Sequence, residues 1–297
     1  MDWQILLITV YDYVHTQFNR DLCVHCLRFS NNDNKPELTD EEVITIFLYG
    51  IMRKRLTVRD IYDYTCEHLS DWFPFMPTYK AFVSRLNRVS GVFPVLTDRI
   101  LSDFSGTEIM SSVRLIDSFP VIMANGKRRF RARVAPDVAD KGRCPSKGIH
   151  YYGVKVHVLG ISRPGTLPLP DYIGVAPASN HDLRIFKEIT PYLSGCQVYA
   201  DKAYVGEVEK QFLRERGGDI LTPVKKKKGQ KDTPLGLFDS LFSKGVSRVR
   251  QPVESLFNWI HEKTGIQTAS KVRSSRGLEV HVFGRLAAAM FMLVFGA

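Results

Sequence analysis

The sequence predicts an α/β domain preceded by an all-α N-terminal region. Three observations carry this reading. Apolar residues recur at helical spacing as far as about residue 110. From Ser111 onward, short segments alternate apolar and polar side chains with a period of two, and helical segments separate them. The charge balance changes at the same place: residues 1–110 carry 11 basic and 15 acidic side chains, and residues 111–297 carry 30 and 16.

A chain of 297 residues with 44% hydrophobic and 24% charged side chains suits a globular protein of about two domains. Fibrous and wholly disordered classes are excluded. No stretch reaches the roughly 18 uncharged apolar residues that a membrane span needs, and the best, Leu286 to Ala297, has 12. No membrane association is therefore expected. The apolar stretch Ile5–Val10 lacks a basic segment before it, which argues against a signal peptide. Five scattered cysteines form no disulfide framework and read as reduced thiols in a cytoplasmic protein.

Taken in order, Thr39 with Glu42 has capping-box spacing and opens a helix through Val43, Ile46, Phe47 and Ile51. Thr57 with Asp60 starts a second, through Ile61, Tyr64 and Leu69. The run Trp72-Phe73-Pro74-Phe75-Met76-Pro77 breaks the pattern, and Thr78 caps a third helix with Lys80, Arg85 and Arg88 on one face. Three short helices with a basic last one resemble a helix-turn-helix, although the last turn is too long for a strict match. A helical subdomain for DNA-end binding or dimerisation over residues 1–110 is the expectation.

Strands are expected at Val113–Ile122, His150–Leu159, Tyr172–Ala176, Cys196–Ala200 and Ile220–Val224. Helices are expected after Asn180-His181-Asp182, from Glu207 to about Arg216 with Gly217-Gly218 as the stop, from Pro252 through Ile260, and from about Leu278 to Phe295. A basic insertion spans about 217–250. Two basic clusters stand out: Lys127, Arg128, Arg129, Arg131 and Arg133, and Lys225, Lys226, Lys227 and Lys228 with Lys231. The first alternates with Phe130 and Ala132, as a strand or ribbon with one basic face would. An excess of positive charge confined to one domain points to a polyanion, most simply nucleic acid.

Three carboxylates sit in informative settings. Asp117 interrupts the apolar strand Leu115-Ile116-Asp117-Ser118-Phe119, Asp201 ends the apolar strand Gln197–Ala200, and Glu254 lies in the first turns of the Pro252 helix. A carboxylate on a buried strand costs several kcal/mol unless a cation compensates it. Oxygen-only donors suit magnesium or manganese, and a pair of such ions can activate a hydroxyl and stabilise a leaving oxygen. On a helix, Glu254, Asn258 and His261 share one face, with Arg250 just upstream.

The segments Leu115-Ile116-Asp117-Ser118, Tyr151 to His157, Ala200-Asp201-Lys202-Ala203-Tyr204 and Arg250 to Phe257 resemble the DDE transposases of bacterial insertion sequences, in that family's order. The resemblance covers roughly residues 111–290. It implies a ribonuclease-H-like mixed sheet flanked by helices, with Asp117, Asp201 and Glu254 as catalytic and metal-binding residues for two Mg2+, for which Mn2+ can substitute. It also implies cleavage of double-stranded DNA at terminal inverted repeats, strand transfer by the 3′-hydroxyl into target DNA, and a homodimer in the synaptic complex. Such a protein would act in the bacterial cytoplasm, at the nucleoid.

Many relatives place a Tyr seven residues before the glutamate, an Arg four before and a Lys seven after. This chain has Ser247, Arg250 and His261, so only the Arg matches; His261, Lys263 and Lys271 are the cations available for the missing Lys. Candidate DNA contacts are Lys127, Arg128, Arg129, Arg131, Lys155, His157, Lys225 to Lys228, Arg250, His261, Lys263 and Lys271. Asp137, Asp140 and Asp182 are rival acids that rank below the chosen three. Cys23-Val24-His25-Cys26 lacks the second pair a zinc finger needs. Two other readings remain: a non-mobile nuclease of the same fold, and a catalytically inactive DNA-binding protein.

Overall fold

The computed structural model describes residues 2–27, 36–105, 111–145, 147–225 and 236–296. In chain order the elements are α1 (Trp3–Arg20), α2 (Asp40–Met52), α3 (Val58–His68), α4 (Tyr79–Arg88), α5 (Val92–Ser105), β1 (Val113–Asn125), β2 (Asp140–Cys144), β3 (Ile149–Ile161), β4 (Leu169–Pro177), α6 (Asp182–Ile189), β5 (Gln197–Tyr199), α7 (Glu207–Glu215), β6 (Asp219–Leu221), α8 (Leu237–Thr264), α9 (Ser275–Glu279) and α10 (Arg285–Phe295). They form two compact units.

One unit comprises residues 1–106, 133–137 and 260–297. Its helices start where the threonines require. Thr39 and Glu42 form a complete capping box on α2, and the Thr57 and Thr78 hydroxyls accept from the backbone amides of Asp60 and Ala81. From Val43 to Ile51 α2 is buried on every side, which makes it the central helix of the unit. The apolar α10 packs against both α2 and α5. A Cβ on Gly284 would come within 2.6 Å of the Phe47 ring, so the approach there requires glycine.

This grouping differs from the expected boundary at residue 110. Residues 260–297 pack with the N-terminal helices because α10 carries the apolar surface that completes their core. The final helix also differs in detail: a π-helical turn, Val280–Gly284, joins α9 to α10. The run Ser275–Phe295 has the length and apolarity of a membrane span, longer than the 12 residues singled out from sequence, and 67% of its most apolar 18-residue stretch is buried inside the protein.

The other unit comprises residues 107–132 and 138–259. Its six-stranded mixed sheet runs β2-β3-β1-β5-β6, with β4 also paired to β3. β2 meets β3 at residues 149–153 and β4 meets it at 154–161, so the two share one edge of β3 end to end. β3 runs antiparallel to both of its neighbours β1 and β4, and β5 and β6 continue parallel to β1. On one face α6 lays Phe186 and Ile189 on a core with Ile116, Leu159, Val198 and Tyr204. On the other, Phe257 of α8 meets Phe119 of β1 at 4.8 Å between ring centroids.

Three expectations are corrected. The first basic cluster is no strand: Gly126–Phe130 forms a 3-10 turn, entered through Gly126 at a φ of 55°, where a side chain is disfavoured. A short strand, β2, follows where no strand was expected. The last long helix of this unit begins at Leu237, not Pro252, and carries Pro252 inside it. Leu237, Phe238, Leu241, Phe242, Val246, Val249 and Val253 recur at helical spacing, and the loss of one backbone hydrogen bond at a proline does not end so long a helix.

Candidate active site

The sheet brings the two aspartates level. Val113 pairs with Gln197 and Leu115 with Tyr199 across the parallel β1–β5 ladder. Two residues further along each strand stand Asp117 and Asp201, just past the last paired residue of β5. Asp201 begins the 3-10 turn Lys202–Tyr204, and its Oδ1 accepts from the Lys202 amide at 2.7 Å. The Asp117 Oδ1 accepts from the Ser118 amide at 2.8 Å.

Glu254 comes from α8, on the Asp117 face of the sheet, with its side chain 55% exposed. Arg250 one turn earlier joins the acids: its Nη1 donates to Asp117 Oδ2, and its Nη2 donates to Glu254 Oε1 at 3.2 Å. Burial pushes the Asp117 carboxyl up to about 6, against the pull of the Arg250 guanidinium and the Ser118 amide; the charges of Asp201 and Glu254 push it the same way as burial. Asp201 and Glu254, the other two acids expected from sequence, are thus within electrostatic reach of Asp117.

Behind Asp117 lies a buried polar chain. The Tyr204 hydroxyl shares a hydrogen bond with Ser118 and lies 3.1 Å from His157 Nδ1. Lys155 Nζ donates to Asp182 Oδ1 at 2.6 Å. Sequence reasoning gave Tyr204 no role, although an aromatic three residues after an acid that ends a strand is a usable signal. His157 was expected to touch DNA; it is fully buried, and desolvation lowers it to about 4, so it is a neutral packing residue here.

The remaining candidates scatter. Lys127, Arg128, Arg131 and Lys225 are exposed in the sheet unit, Arg129 is half-buried, and Lys226, Lys227 and Lys228 lie outside the described residues. His261, Lys263 and Lys271 belong to the helical unit. Of the rival acids, Asp182 pairs with Lys155, Asp140 accepts from the Lys141 amide, and Asp137 accepts from the Ser275 hydroxyl.

Among the described residues no three His, Cys, Asp or Glu side chains converge tightly enough to hold a metal ion. The donor chemistry nevertheless fits a hard divalent cation: three carboxylates, one of them on an otherwise apolar strand and only partly exposed, with an arginine supplying the compensating charge at Asp117 and Glu254. A cation there would relieve the same unfavourable burial.

Neither the curated proteins nor the solved structures include a match to this chain. A family model described as the transposase DDE domain matches residues 107–274, a segment that contains β1, β5 and the Glu254 region of α8. The mixed sheet with helices on both faces is the ribonuclease-H-like fold that the motifs implied. With more than half of its length in that match, the chain belongs to the DDE transposases.

Proposed function

We propose that this transposase cuts double-stranded DNA at the ends of its own element, an insertion sequence, and joins the freed 3′-hydroxyl to target DNA. The observation that carries the reading is that Asp117 and Asp201 each stand two residues beyond the Leu115–Tyr199 pair of the parallel β1–β5 ladder, with Glu254 tied to Asp117 through Arg250. In the first step a water oxygen attacks phosphorus and the bond to the 3′ oxygen breaks. In the second, that 3′ oxygen attacks a target phosphodiester and displaces another 3′ oxygen, so the number of phosphodiester bonds is conserved.

Asp117, Asp201 and Glu254 would hold two Mg2+ or Mn2+. Bound there, the ions supply Lewis-acid stabilisation of the phosphoryl oxygens and make water a better nucleophile at neutral pH. The chain's own residues do the rest. Arg250 neutralises Asp117 before DNA arrives and, released from it, presents a planar fork suited to a phosphate. Lys127, Arg128, Arg131 and Lys225 add exposed positive charge along the sheet unit. Lys226 to Lys228 add more by composition, and Lys263 and Lys271, with the imidazole of His261, are the groups that the helical unit offers to DNA. Two copies would bring two ends together in a homodimer.

The test is magnesium- or manganese-dependent cleavage of DNA carrying the gene's flanks, by wild type, Glu254→Gln and Asp201→Asn. Site-specific nicking by wild type alone, with end binding retained in the variants, is the expected result. Equal cutting by all three would remove these acids from the chemistry, and binding with no cutting by any would favour an inactive DNA-binding protein.

A further inference from the structure

The sheet unit also holds a cavity of about 580 Å³, within the size range of sites that take small ligands. It lies apart from the carboxylates. Across the β1–β3 ladder Asp117 faces Val158 and Phe119 faces Val156, whereas Lys155, which lines the cavity, faces Pro120. Side chains alternate along a strand, so Lys155 projects from the opposite face of the sheet to Asp117.

The lining is strongly basic. Arg129, Lys141, Arg143 and Lys155 contribute four cations against the single carboxylate of Asp182, and that carboxylate is already committed to Lys155 at 2.6 Å. The guanidinium of Arg129 lies 4.3 Å from the centroid of the Phe130 ring, which is itself 62% exposed at the cavity. Tyr151 lines the cavity too. It is 1% exposed, and its hydroxyl makes no hydrogen bond among the described residues. A buried hydroxyl left without a partner is unfavourable, and a small shift of the ring would let it meet a ligand's polar atom.

A ligand that answers all of these features carries a multivalent acceptor anion beside a planar ring. We propose that this cavity binds a single nucleotide, with its phosphate held by Arg129, Lys141 and Arg143 and its base laid against Phe130. Arginine forks match phosphate geometry, and aromatic rings stack on any base without regard to sequence. A free mononucleotide and a nucleotide within a DNA strand share this chemistry. The site requires no cleavage and stands whether or not the carboxylates cut DNA.

The test uses the full chain in the absence of divalent metal, so loss of catalysis cannot mimic a negative result. Deoxyadenosine monophosphate is titrated by calorimetry and a short labelled single-stranded oligonucleotide by fluorescence anisotropy. Wild type is compared with Arg143→Gln, Phe130→Ala and Lys210→Gln, the last removing one positive charge outside the cavity. Arg143→Gln and Phe130→Ala should each weaken binding by about tenfold, the loss of one good contact, while Lys210→Gln changes it little. Sensitivity with both probes supports a free-nucleotide site, and sensitivity with the oligonucleotide alone supports a strand nucleotide. Overturning results are binding of either probe that ignores both cavity variants, no binding of either, or full competition by inorganic phosphate with no effect of Phe130→Ala. Circular dichroism melts confirm that the exposed Phe130 can be removed without unfolding.

Discussion

Arg250 donates from Nη1 to the Oδ2 of Asp117, tying α8 to the middle of β1 across 133 positions of chain. This is the compensating charge that a carboxylate inside an apolar strand requires. Removing one member of a buried pair is strongly destabilising, but water still reaches 20% of the Asp117 side chain, so Arg250→Gln should lose only about 2 kcal/mol at pH 8. The loss should shrink at pH 5, where Asp117 holds a proton and needs no partner. Urea unfolding at the two pH values measures this; an equal loss at both would mean that Arg250 acts by packing alone.

Asp117→Asn should behave in the opposite sense. The Asp117 carboxyl titrates at about 6 in the folded protein and at 3.8 ordinarily. Between those values the folded chain holds a proton that the unfolded chain has lost, so stability falls as pH rises from 3.8 through 6. A permanently neutral Asn removes that loss, and without metal the variant should melt higher than wild type at pH 7. Added magnesium should raise the wild-type midpoint and leave that of the variant nearly unchanged. A variant that melts lower at pH 7, or gains equally from magnesium, would contradict the assignment.

The two aspartates of the candidate site were legible because each sits where the local pattern forbids a charge without a reason. Asp117 breaks an apolar alternation, and Asp201 ends one. The capping thresonines Thr39, Thr57 and Thr78 were equally legible, since a hydroxyl three residues before a helical amide is a local signal. What the sequence hid is non-local. Nothing near residue 260 says that α10 will complete the core of the N-terminal helices. The Arg250–Asp117 contact and the burial of His157 both depend on which strands become neighbours. Pro252 misled because its usual position at a helix start was weighed above the apolar periodicity preceding it.

His157 makes a second pH dependence testable. Burial lowers it to about 4, against 6.5 ordinarily, and the buried His281 is lowered to about 3 by burial and by the charge of Arg285. Below 6.5 the unfolded chain takes protons that these folded histidines refuse, so stability is lost as pH falls from 6.5 towards 4. His157→Gln should lower the slope of that limb by one proton's worth, leaving the contribution of His281 and the opposing one of Asp117. The measurement is the slope of unfolding free energy against pH in variant and wild type; an unchanged slope would mean that His157 titrates normally in the folded protein.

Gly153 of β3 stands opposite Ile122 of β1. A Cβ there would sit 2.0 Å from the Val121 carbonyl oxygen, beside the irregularity between Ile122 and Ala124. The obstacle is backbone, which cannot swing aside as a side chain would. Gly153→Ala should therefore cost about 2 kcal/mol or more, at the upper part of the range for overpacking, and thermal melting would show it. A neutral substitution would mean that the two strands can part locally without harm.

DNA binding should carry the electrostatic signature of the exposed turn after β1. Lys127, Arg128 and Arg131 stand free of the sheet, and a cation that neutralises one phosphate releases counterions on binding. Replacing Lys127 or Arg128 by Ser should weaken binding to element ends and to unrelated duplex alike, and lower the slope of log affinity against log salt by about 1 for each residue. Arg250→Gln should weaken binding less than it impairs cutting, because its guanidinium is occupied by Asp117 and Glu254 until metal and DNA displace it. Salt titrations of anisotropy on the wild type and the three variants separate these cases. Unchanged slopes in Lys127→Ser and Arg128→Ser would move the DNA path away from this turn and towards other exposed cations, such as Lys225.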